Sequence, residues 1–72
     1  MGPTYSQHAR DRMAERHISE DEVEYTLAHY YRSETSRTSG NTIYYGRPNG
    51  RRITVIVAPG TTPPRIVTVW ED

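Results

Sequence analysis

The chain has 72 residues, with nine basic and nine acidic side chains, a net charge of zero and no cysteine. A chain this short makes one small domain that buries only about 60% of its unfolded surface, and without cysteine it has neither disulfides nor thiolate metal sites. Every basic residue is arginine, so lysine Schiff-base and amine chemistry are excluded, and each cation is a permanently charged planar fork suited to phosphate or carboxylate.

No apolar run approaches the ~18 residues of a membrane span, and no signal-peptide core opens the chain. We therefore expect a protein without a membrane partner, placed in the cytoplasm, where the absence of cysteine fits a reducing compartment. Ser6 is a good N-cap, and a first helix is expected from there to about Arg16, with Ala9 and Met13 as its apolar contacts. His17 sits where the chain must leave that helix. Ser19 and Glu22 form a capping box for a second helix, with Ile18 and Val23 as its hydrophobic staple. Glu20, Asp21 and Glu22 suit the positive end of its dipole. Val23, Leu27 and Tyr30 form the expected buried stripe, and the helix should fade near His29.

Beyond Arg32 the periodicity changes to two. Residues 32–38 read as a polar edge strand and Ser39-Gly40-Asn41 as a turn. Thr42 to Arg47 reads as a strand, followed by a tight turn whose Asn49-Gly50 tip suits the positive φ angles of type I′. Arg52 to Ala58, rich in β-branched residues, is the best strand. The Pro- and Gly-rich stretch 59–64 is a loop, and Arg65 to Trp70 is the last strand. The expected architecture is α+β: a single domain over residues 1–72, with two short N-terminal helices packed on a three- to four-stranded antiparallel meander. With Asn49-Gly50 at the tip, Arg47 falls opposite Arg52, Tyr45 opposite Thr54 and Tyr44 opposite Val55. Tyr44, Ile53, Val55 and Val57 then share the core face, while Ile43, Tyr45, Arg47, Arg52, Thr54 and Ile56 share the other.

His8, Arg12 and Arg16 fall at i, i+4 and i+8, so the first helix aligns one imidazole with two guanidiniums. That is equipment for a phosphodiester, with histidine moving protons near neutrality and arginines gripping the phosphate. The plain structural alternatives are a helix histidine bonded to its neighbours and arginines paired with Glu15, Glu20 or Glu22. Arg47, Arg51 and Arg52 surround the hairpin tip as further phosphate ligands, with Arg51 the one best read as merely solvated. Six tyrosines and one tryptophan in a chain without phenylalanine suit both a small core and base stacking. Tyr45, on the arginine-bearing face, is a candidate to stack or to supply a proton, whereas Trp70 reads as a packing residue. Histidines at 8, 17 and 29 contain no i, i+4 pair, so no metal site is expected. No Gly-rich phosphate loop follows a strand, and no cofactor is implied.

The run Ser6-Gln7-His8-Ala9-x-x-Arg12-Met13-x-x-Arg16-x-Ile18-Ser19-x-x-x-Val23, the aromatic-bearing 42–47 strand, the Gly-Arg step and the terminal Ile-Val-Thr-Val-aromatic strand at 66–70 carry a resemblance. They resemble the small bacterial domain-of-unknown-function family 4258, which looks like a branch of the RelE-like toxin superfamily. The resemblance implies a metal-independent endoribonuclease with a helical hairpin on a twisted antiparallel sheet. It would act on RNA, including ribosome-bound messenger RNA, and be opposed by an antitoxin or immunity protein. It could also arrive as an effector domain in a target cell's cytoplasm. His8, Arg12 and Tyr45 would be the catalytic residues, and Arg16, Arg47, Arg52 and Arg65 would bind RNA phosphates, with Thr68 in support. Neutral charge and the absence of lysine favour an alternative, a non-catalytic protein-interaction module such as a degenerate toxin or accessory protein.

Overall fold

The computed structural model describes residues 2–72. Strand β1 (Thr4–Tyr5) leads into helix α1 (Gln7–Arg16) and helix α2 (Glu20–His29). Strands β2 (Arg32–Thr35), β3 (Thr42–Gly46), β4 (Ile53–Val57) and β5 (Arg65–Glu71) follow, with a short 3-10 turn at Pro48–Gly50 between β3 and β4. Both helices begin as their caps dictate. The Ser6 hydroxyl accepts from the Ala9 N–H, and Ser19 and Glu22 exchange both bonds of the capping box. Helix α1 ends at His17, held in the left-handed region at φ 54°, and the Ile18 N–H closes the helix on the Met13 carbonyl at 2.9 Å.

The sheet has five strands in the order β1-β5-β4-β3-β2. The meander β2-β3-β4-β5 is antiparallel as expected, but β1 adds a fifth strand, parallel to β5 through Thr4↔Arg65 and Tyr5↔Ile66. Two residues carry no alternating pattern, so this strand exists only because β5 passes beside them. The edge strand β2 also stops at Thr35, short of residue 38, because the chain reverses over the next residues, where Gly40 takes φ 78° and its N–H bonds the Ser36 carbonyl at 2.9 Å.

Tyr45↔Thr54 and Tyr44↔Val55 pair in the expected register. Asn49 (φ 55°) and Gly50 (φ 78°) both take positive φ, and the Arg51 N–H bonds the Pro48 carbonyl at 3.0 Å. The expected Arg47–Arg52 pair does not form. The ladder ends at Gly46↔Ile53, and Arg47 leaves the strand at φ −132°, ψ 58°, which separates two like charges that would face each other.

Ala9, Met13, Ile18 and Val23 from the helical half pack on Ile53, Val55, Val57, Ile66 and Val69, all on one face of the sheet, with Tyr5, Leu27 and Tyr44 at the margin. Gly46 lets α2 come close. A Cβ there would lie 2.7 Å from Cγ2 of the buried Thr26, so a side chain at this position would force helix and sheet apart. All five residues of β4 are buried, including Thr54 and Ile56 on the face away from the helices. Pairing of Ile56 with Thr68 but Val57 with Ile66 leaves Val67 as the extra residue of a β-bulge. The Val67 carbonyl accepts from the Ser6 hydroxyl at 2.6 Å, and the Ile66 carbonyl accepts from the Ser6 N–H at 3.0 Å. One serine thus caps α1 and fastens its start to the bulged strand.

Candidate functional site

That fastening sets α1 along the free stretch of β5. The two elements enclose a groove of about 330 Å³ lined by His8, Arg12, Arg16, Thr68, Val69 and Trp70. His8, Arg12 and Arg16 present the expected row, one residue per helical turn, and Thr68 and Trp70 form the opposite wall. Thr68 and Trp70 pair with Ile56 and Thr54 and so project from the face away from the helices, lining the groove along the free edge of β5. The bulge at Val67 resets the alternation that puts Thr68 on that side. His8 and Arg16 are exposed, and Arg12 and Thr68 are half-buried. Among the described residues Arg12 has a single carboxylate neighbour, Glu15 at 3.5 Å on the same helix, and Arg16 has none within ion-pair distance. Exposed pairs of the Arg12–Glu15 kind contribute little, so both guanidiniums remain available to an anion.

Trp70 departs from its expected packing role. It is 40% exposed, lines the groove, and donates its indole N–H to the Asp72 carboxylate at 2.9 Å. That bond orients the ring, part of which is exposed at the groove.

The other arginines divide. Arg51, expected to be solvated, is the most engaged side chain of the described structure. Its guanidinium donates to both Glu22 carboxylate oxygens (3.0 and 3.1 Å), to both Glu71 oxygens (3.1 Å each) and to the carbonyls of His17 (3.0 Å) and Arg16 (2.8 Å). It ties the end of α1, the start of α2 and the end of β5 into one knot. Glu22 is held below the ordinary glutamate range by the Ser19 backbone N–H and then by Arg51, against the opposing effect of burial. Glu71 is lowered chiefly by its hydrogen bond from Arg51. The spacing of Arg51 from these partners, 20 to 35 residues, leaves no local signal by which a sequence pattern would find them.

Arg47 lies over the Tyr31 ring, 5.3 Å from its centre. Arg52 is exposed beside the hairpin. Arg65 stands at the start of β5 opposite Thr4 and does not line the groove. Tyr45 also lies outside it. Its hydroxyl donates to Glu34 at 2.9 Å, and that bond raises the Tyr45 pKa and lowers that of Glu34. A phenol whose proton is held by a carboxylate two strands from Trp70 does not serve the groove as a proton donor.

Among the described residues no group of three or more His, Asp or Glu side chains is arranged to hold a metal, and no helix is long and apolar enough to cross a membrane. No curated protein and no solved structure matches the chain. A family described as Domain of unknown function (DUF4258) matches residues 5–71, a span running from β1 to the end of β5 and including every wall of the groove. The chain belongs to this DUF4258 family.

Proposed function

We propose that the chain is a small endoribonuclease of the RelE-like toxin kind, acting on RNA through the groove between α1 and β5. The observation that supports this most is the row of His8, Arg12 and Arg16 facing Thr68 and Trp70 across one groove, with Arg16 unpaired and Arg12 only loosely paired. The two guanidiniums grip the non-bridging oxygens of a phosphodiester and offset the charge that builds on them in the transition state. The ribose 2′-hydroxyl attacks phosphorus as the bond to the 5′-oxygen breaks, leaving a 2′,3′-cyclic phosphate and a 5′-hydroxyl. His8 is the one imidazole in the groove and carries one of the two proton transfers, with water carrying the other. Thr68 is placed to hydrogen-bond the ribose or phosphate, and the exposed Trp70 ring to stack on a base. In the cell an antitoxin or immunity protein would cover this arginine row.

Incubating the protein with RNA in EDTA should yield fragments ending in 2′,3′-cyclic phosphate. His8→Ala should slow cleavage by about 10²-fold or more, and Arg12→Ala by a similar factor. Induced expression should arrest growth for the parent and not for His8→Ala. A His8→Ala protein that cuts RNA and arrests growth like the parent overturns the mechanism. A salt-insensitive protein complex without RNA cleavage replaces it with a protein-interaction module, since phosphate contacts make binding strongly salt-dependent.

A further inference from the structure

Residues paired across neighbouring strands project from the same face. Trp70 pairs with Thr54, Thr54 with Tyr45 and Tyr45 with Arg32, so these four form one row across β5, β4, β3 and β2 on the face away from the helices. Strands lie ~4.8 Å apart, which puts Tyr45 about 10 Å from the Trp70 wall of the groove. At the far end of the row a cluster of rings and guanidiniums assembles. The Tyr31 and Tyr45 rings are 6.5 Å apart, Arg47 lies 5.3 Å from the centre of Tyr31, and Arg32 lies 5.7 Å from that of Tyr45. Tyr31 is 57% exposed, so part of its ring is open to solvent beside Tyr45 and Arg47.

We infer that Tyr31, Tyr45 and Arg47 form a second nucleotide subsite, a stacking platform for an unpaired base of the same single-stranded RNA whose scissile phosphate lies at His8, Arg12 and Arg16. This rests on the nuclease reading above. Aromatic faces interleaved with arginines accept any base and track the backbone charge. The carboxylates on this face are already engaged: Glu34 with the Tyr45 hydroxyl and Arg32, and Asp72 with the Trp70 indole and the Thr54 hydroxyl. They orient the two rings in advance of binding. Thr54, between Trp70 and Tyr45 in the row, is fully buried beneath its bond to Asp72, so an RNA strand leaving the groove over Trp70 passes above it, beside that carboxylate, to reach the platform.

The probe is a 2′-O-methylated hexauridylate, which has no 2′-hydroxyl to attack and so separates binding from cleavage. Fluorescence anisotropy should show Tyr31→Ala weakening binding about tenfold, equivalent to ~1.4 kcal/mol. Tyr31→Phe should retain parental affinity, because the ring does the stacking. Arg47→Ala should reduce the slope of log affinity against log salt by about one. Equal binding by the parent and Tyr31→Ala overturns the platform whether or not RNA is cut. Tyr31-dependent binding without any cleavage upholds the platform and defeats the nuclease reading. Failure of the parent to bind the hexamer, with Tyr31→Ala losing a protein partner, assigns the surface to protein and overturns the proposal.

Discussion

Arg51 and the Arg12–Arg16 pair use the same side chain in opposite ways, and they meet at one residue. The carbonyl of Arg16 accepts from Arg51 while its side chain lines the groove. Arg51 donates to two carboxylates and two carbonyls from three elements, whereas the groove arginines have one loose carboxylate neighbour between them. A guanidinium whose donors are filled holds the fold, and one whose donors are empty waits for an anion. The neutrality of the chain conceals this division, because two of the nine acids, Glu22 and Glu71, converge on Arg51 while Arg16 has no carboxylate within ion-pair distance among the described residues.

The contrast breaks most sharply at Arg51. Arg51→Ala leaves the partly buried Glu22 carboxylate without its cation and frees the ends of α1 and β5, so Tm should fall on the order of 10 °C or more in a thermal melt. An Arg51→Ala melt matching the parent would show that the knot is ornamental. Acidification tests the same contacts without mutation. Glu22, held down by Ser19 and Arg51, and Glu71, held down by Arg51, have folded pKa values below the ordinary 4.5. Their stabilisation is complete above that value and is lost as pH drops through the lowered folded values. Melting temperature should hold from about pH 7 to about pH 5 and fall below that. Arg51→Ala should flatten the fall.

A smaller effect, of opposite sign, is expected at the left-handed residue beside the knot. His17→Gly keeps the carbonyl that Arg51 uses and relieves a non-glycine φ of 54°, so it should stabilise by up to about 1 kcal/mol in denaturant titration. The smallest effect belongs to the groove. Arg12→Ala and Arg16→Ala should each leave stability within about 0.5 kcal/mol of the parent and, on the nuclease proposal, slow RNA cleavage about 10²-fold. A large destabilisation by either would place these arginines with Arg51 and remove them from the site.

Much of the groove's first wall was legible in the chain. Ser6 and Ser19 cap their helices, and once α1 exists the spacing of His8, Arg12 and Arg16 aligns them. The Asn49-Gly50 turn set the pairing of Tyr45 with Thr54 and so sorted the faces of β3 and β4. The second wall was less legible. Thr68 takes its side of β5 through the bulge at Val67, which has no pattern of its own, and Trp70 stays 40% exposed with its indole N–H held by Asp72, a bond no sequence pattern announces. Tyr45 looked like a free phenol because its partner Glu34 comes from another strand.

What this sequence settles alone is what neighbours within about four residues can settle: helix starts, the end of α1 at His17, the hairpin turn and the alternation of strands. Capping bonds, φ preferences and side-chain periodicity are short-range, so they are written into adjacent positions. The parallel strand at Thr4–Tyr5, the bulge, the spent Arg51 and the unspent Arg16 exist only in the packed fold. Each depends on which distant donors and acceptors arrive within 3 Å of one another, and burial of the common core makes that choice.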